Sequence, residues 1–193
     1  MDIKEAIQYL SHNLNQDKKL QQFVELNGFD FQMALVIEDG YRSDTIDKND
    51  GALYLASESE GFDFLFITEN TFFCNKLHLP MIEGEWYLST IFLYSEGTNG
   101  YSQYKGDLPY GVSFDMTQLE IHTILEEDIV FSRSNKEGTI VAEEWDYDYF
   151  SIYITYNPST LTPKVVQIDT YSGKFPPKKE GIKVQLPEAL CDK

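Results

Sequence analysis

One heptapeptide concentrates much of the chemistry this chain could do. Glu143-Glu144-Trp145-Asp146-Tyr147-Asp148-Tyr149 alternates acid with aromatic. On a strand, Glu144, Asp146 and Asp148 share one face, and Trp145, Tyr147 and Tyr149 share the other. Successive carboxylates then stand roughly 6.6 Å apart, twice the ~3.3 Å rise per residue. Such a ladder repels itself unless cations meet it, which suits a surface that engages a basic partner. The alternative is the solvated side of a strand whose aromatics build a core.

A second acidic run, Glu126-Glu127-Asp128, follows an apolar helical pattern. Acids at a helix C-terminus oppose the macrodipole, so they gain nothing locally and point to a partner or to bare solvation. With Glu143, Glu144, Asp146 and Asp148 they form the candidate docking set. Tyr101 and Tyr104 join it from a segment, Glu96 to Gly106, that holds three glycines and many polar residues. Tyrosine among glycine and serine is good interface material, and a long exposed connector is the plain alternative.

No metal or cofactor is implied. Aligning Gly51 with the glycine of an EF-hand loop puts Ile46 at the first ligand and Lys48 at the third, so that motif fails. Irregular calcium sites built from loop carboxylates stay open. His12, His78 and His122 belong to no His-Glu-x-x-His motif, and Cys74 and Cys191 lie far from one another. His12 and His122 read as boundary residues on helices, and His78 precedes Leu79-Pro80 in a loop. A catalytic triad is spatial and stays open, but there is no Gly-x-Ser-x-Gly elbow. Gly97, Gly100 and Gly106 are too irregular for a phosphate cradle.

The charge balance narrows the partner. The chain has 193 residues, 32 acidic against 15 basic, for a net charge of −17. Gly28 to Gly173 holds 25 acids and 7 bases, while the last twenty residues hold five lysines against three acids. A body this negative repels nucleic acid and anionic membrane, and attracts basic proteins. No stretch approaches the ~18 apolar residues of a membrane span, and the opening Met1-Asp2-Ile3-Lys4-Glu5 does not read as a secretory signal. An isolated pair of cysteines fits a reducing compartment, so a cytoplasmic protein is expected.

The elements that must position these groups follow from periodicity. Ile3, Ala6, Ile7, Leu10 and Leu14 make one helical stripe. Leu20, Phe23 and Val24 continue it after Asp17, an N-cap candidate, with Gly28 as a stop, on one bent helix or two short ones. Alternation predicts strands at Phe31 to Ile37, Ala52 to Ser57, Phe62 to Thr68 and Trp86 to Tyr94, with Tyr41 to Asp50 as a loop. A short helix carrying Leu119, Ile121, Ile124 and Leu125 follows, capped through Asp115/Gln118 or Thr117/Glu120. Strands at Thr139 to Trp145, Tyr149 to Tyr156 and Lys164 to Tyr171 come next. Helix then strands, twice over, predicts an α+β fold with a mainly antiparallel sheet. The organisation expected is one domain over 1–175, with possible subunits 1–105 and 106–175, and an extended Pro/Lys tail over 176–193.

The run Leu108-Pro109-Tyr110-Gly111-Val112-Ser113-Phe114-Asp115-Met116-Thr117, its helix, Trp145-Asp146-Tyr147 and the strand after it resemble a module of small bacterial proteins. These include immunity proteins of polymorphic toxin systems. The resemblance spans residues 105–171. The same unit is similar to the helix-plus-strands unit of small outer-membrane assembly lipoproteins and of β-lactamase inhibitory proteins, with Asp115 here in place of their glycine. It implies an intracellular inhibitor that binds a toxin directly, with no cofactor. Charge independently favours a basic partner, since toxins that attack nucleic acid need basic surfaces. Two other classes stay open: a carboxylate-based or metal-dependent hydrolase with paired acids in a cleft, and a structural or ligand-binding module.

Overall fold

A computed structural model of the chain describes residues 1–30, 46–47, 52–68, 85–125, 128–147 and 150–170. The predicted strand at 31–37, His78 and the tail from 176 lie outside them. The fold is α+β. Among the described residues there are three α-helices, α1 (Ile3–Gln8), α2 (Lys18–Leu26) and α3 (Gln118–Ile124). Eight strands accompany them: β1 (Ile46–Asp47), β2 (Ala52–Ser57), β3 (Phe62–Thr68), β4 (Trp86–Tyr94), β5 (Ile129–Ser134), β6 (Ile140–Asp146), β7 (Ser151–Tyr156) and β8 (Pro163–Asp169).

The strands form one sheet in the order β1-β2-β3-β4-β8-β7-β6-β5, antiparallel throughout. Two four-stranded meanders therefore lie back to back, each entered from helix, and their last strands meet in the middle. After β4 the chain crosses to the far edge and works back. The β4–β8 seam pairs Ile91 with Ile168 and Leu93 with Val166.

The N-terminal stripe resolves into two short helices, each capped by aspartate. Asp2 accepts from the Lys4 and Glu5 amides, and Asp17 from those of Lys19 and Leu20. The break has a specific cause. Pairing of β8 with β4 stops at Thr90–Asp169, and residues 11–14 occupy the place alongside β4 beyond it. Ser11 N donates to Leu88 O at 2.8 Å, Leu88 N to His12 O at 3.1 Å, and Leu14 N to Trp86 O at 2.7 Å. Ser11 turns to a φ of 67° to do so. His12 thus sits off the helix, with Nδ1 against Asp17 Oδ2, which corrects its helical assignment.

The helices cover one face of the sheet, called here the inner face. Phe62, Phe64 and Phe66 of β3 lie on it, and Phe23 of α2 packs on Phe64 with ring centroids 5.7 Å apart. In β4 the alternation changes phase. A bulge at Ser89 lets Trp86 and Leu88 share the inner face with Ile91 and Leu93. The bulged Ser89 carbonyl accepts from Thr170 N and Thr170 Oγ1 at 3.0 and 3.1 Å. In the second meander Ile152, Ile154, Val166, Ile168 and Trp145 complete the core.

Helix α3 opens with the Thr117/Glu120 capping box, and the Asp115/Gln118 alternative is not used. Ile121 and Leu125 are buried, but Leu119 is 75% exposed and lies off the apolar side assigned to it. The segment after β4 is anchored rather than free. Tyr104 N donates to Tyr94 O, and Ser102 N to Glu58 O, both at 2.9 Å. This brings the loop onto Gly61, in the turn between β2 and β3.

Gly61 has a φ of +76°, and a Cβ there would stand 2.3 Å from Ser102 O and 2.4 Å from Tyr104 N. Both close neighbours are backbone, so relief requires the loop to move. Gly61→Ala is expected to cost about 3 kcal/mol in urea unfolding, from left-handed strain and overlap together. A loss under about 1 kcal/mol would show that the loop can back away.

Candidate protein-docking face

The face of the sheet away from the helices, the outer face, is built by strand register. In an antiparallel sheet, directly opposed residues point to the same side. Starting from β2, the pairings align Ala56, Asp63, Phe92, Gln167, Tyr153, Glu144 and Phe131 in one row across seven strands. Beside it runs a second row: Tyr54, Leu65, Thr90, Asp169, Ser151 and Asp146. These rows bring together Glu144, Asp146 and Asp169 with Tyr153, and carry Phe92 and Tyr54 on the strands of the first meander. All six are partly or fully exposed. Gln167 Nε2 donates to Asp169 Oδ2 at 3.0 Å, and Phe131 stacks on Tyr153 with centroids 6.2 Å apart. Arg133, opposite Ala142, lies on the edge strand, and the half-exposed Lys164 sits at the bulge of β8, off the two rows.

The predicted docking residues part company here. Glu144 and Asp146 lie on the outer face as the alternation required. Glu143 does not belong with them. It shares the inner face with Trp145 and is 1% exposed, so the assignment of Glu143 to a docking surface is corrected. Its Oε2 lies 2.8 Å from His122 Nε2, which ties α3 to β6, and the His122 ring meets Trp145 edge-on at 5.9 Å. Burial, and then Glu143, raise the Tyr156 hydroxyl above its ordinary range. Asp128 is exposed just ahead of β5, away from the central rows, and Glu126, Glu127 and Asp148 lie outside the described residues.

The tyrosines are also reassigned. Tyr104 is 3% exposed, meets Phe62 edge-on and donates its hydroxyl to the Met1 carbonyl at 2.9 Å. Its pKa is pushed up to about 12, first by burial and then by Asp2 and Asp107. It cannot offer free contact area. Tyr101 is half-buried and stacks on Tyr94 at 4.0 Å. Both hydroxyls donate to Asp63 Oδ2, at 2.9 Å from Tyr101 and 2.8 Å from Tyr94. Burial pushes the Asp63 carboxyl up, and the two tyrosine hydrogen bonds hold it back only in part. The pair of rings closes over this carboxylate from the outer side.

Sequence reasoning missed Asp169, Tyr153, Phe92 and Tyr54. Alternation alone marks each as facing away from its apolar neighbours, but only register shows that they meet. Among the described residues no group of three His, Cys, Asp or Glu could hold a metal ion. No described helix is long and apolar enough to cross a membrane.

Two outcomes test the buried carboxylates. His122→Ala strands Glu143 in the interior and is expected to cost about 2–3 kcal/mol, part of which Glu143→Gln restores in the double variant. Additive losses in the double-mutant cycle would show that the two do not interact. For Asp63, the folded pKa lies above the unfolded one. Its contribution to stability is therefore present below the unfolded pKa and lost as pH rises through the folded one. The stability of Asp63→Asn relative to the parent should thus increase as pH is raised from about 4 toward neutrality, by denaturant titration. A flat difference would place the carboxyl in an ordinary environment.

Compared with known protein families, characterised proteins and solved structures, the chain matches none.

Proposed function

We propose that this chain is an inhibitor of the immunity type, acting in the cytoplasm and neutralising a basic toxin domain by seating it on the outer face of the sheet. The observation that carries the reading is the pair of register rows. They collect the half-exposed Glu144, Asp146 and Asp169 on the face away from the described helices, around the buried Thr90 and Ser151, with half-exposed or exposed aromatics on the same rows. The net charge of −17 steers a cationic partner from a distance, and the carboxylates fix its orientation on arrival. Tyr153, Phe92 and Tyr54 supply the apolar contact area that charge alone does not give. A sheet face suits this work because its side chains are held on a stiff lattice at fixed spacing, which lowers the ordering cost of binding. Asp128 and the edge of β5 lie at the margin of such a footprint. No cofactor takes part.

The test begins with the reading frames beside this gene, one of which is expected to encode a basic toxic domain. Its toxicity should be relieved by co-expression of the chain, and the purified pair should associate more slowly as salt is raised. The triple variant Glu144→Ala/Asp146→Ala/Asp169→Ala should reduce the association rate about tenfold or more and flatten its salt dependence. Unchanged affinity and unchanged salt response in that variant would reject this face as the docking surface. A neighbouring domain that neither harms the cell nor binds would reject the immunity reading.

A further inference from the structure

We infer that β5 is a self-pairing edge: two copies of the chain join strand to strand about Ser132, carrying the sheet across a two-fold axis. β5 ends the sheet, and β6 is its only strand neighbour among the described residues. All six of its residues are exposed, with Ile129, Val130 and Phe131 between 41 and 51%. Folded proteins blunt such edges with charge, proline or a cover. This one carries no proline, a single charge, Arg133, and a bulge at Val130, which leaves Phe131 to Arg133 as its regular stretch. It is also the place where two copies of a strongly acidic chain can approach. From Ile129 to Lys136 there are two bases and no acid.

Symmetry then restricts the register. A two-fold axis normal to the sheet pairs antiparallel strands with both outer faces on one side, and it requires one residue to face its own copy. Centring on Arg133 would set two guanidinium groups against each other. Centring on Phe131 would leave each Arg133 opposite Ile129. Centring on Ser132 places Phe131 opposite the second copy's Arg133, twice, on the outer face where both side chains already point. Each guanidinium then lies beside a ring that is already stacked on Tyr153, the arrangement a cation–π contact requires.

A pair of six-residue strands falls below the ~1,200 Å² of a standard interface, so the dimer is a weak one. Because each copy is strongly negative, salt strengthens it. That response is opposite in sign to the one expected for a basic partner, so the two readings stand or fall separately.

Sedimentation of the full-length chain should show a monomer–dimer equilibrium with a Kd of order 10–100 µM, tightening as salt is raised. Phe131→Asp should weaken it about tenfold or more in a chain that stays folded, with the unfolding midpoint lowered because Asp would face Glu144 and lose the Tyr153 ring. In a Cys74→Ser/Cys191→Ser background, Ser132→Cys should form a disulfide-linked dimer in preference to Ser134→Cys. The reason is that self-opposed residues bring their Cβ atoms within about 5 Å. A chain that stays monomeric at about 500 µM overturns the inference, since that is well above the Kd range of so small an interface. So does a dimer that survives Phe131→Asp, or one that cross-links equally at both positions.

Discussion

The pairing of β4 with β8 holds the rest of the structure in place. Ile91 against Ile168 and Leu93 against Val166 continue the inner apolar surface without a break, so one core serves both meanders. The same hydrogen-bonded ladder fixes the outer side. Phe92 meets Gln167 there, which aligns the aromatic-rich strands of the first half with the acid-bearing strands of the second. A slip of one residue along this seam would send every side chain of one meander to the opposite face. The bulge at Ser89 and its clasp by Thr170 mark where the seam ends and residues 11–14 take over.

Much of the architecture is legible in the sequence because burial is one-sided. Phe62, Phe64 and Phe66 announce a strand, Trp86 to Tyr94 another, and the strands β2, β3 and β4 have the limits that alternation predicts. The Asp17 cap and the Thr117/Glu120 box act locally and can be read locally. Legibility fails where distant partners decide. β5 carries a bulge and no buried residue, so it shows no alternation and was not predicted. The break between α1 and α2 is set by β4, some seventy residues away in sequence. The candidate face fails in the same way. Glu144 and Asp146 could be placed from their own strand, but Asp169 joins them only through β7, and Tyr104 is claimed by the Met1 carbonyl and Phe62.

The acidic excess is therefore not one property. Asp63 and Glu143 are interior groups, Asp63 held through Oδ2 by two phenol hydroxyls and Glu143 by an imidazole. They give α3 and the loop after β4 a defined seat, because a buried carboxylate must keep its partners. Glu144, Asp146 and Asp169 stand on the outer side and are half-exposed, beside the buried Thr90 and Ser151. Sequence charge counts these two populations together, and the fold separates them.

The crossover that follows β4 also bears on how the chain matures. Opposed residues at the centre of the seam, Phe92 and Gln167, are 75 positions apart, and the seam's second strand is the last of the described sheet to be synthesised. During translation the first meander must wait with one flank unzipped until its mate emerges. Non-local closure of this kind slows folding and lengthens exposure of a naked apolar border. The newborn chain's most vulnerable surface is thus the line that becomes the middle of the finished molecule.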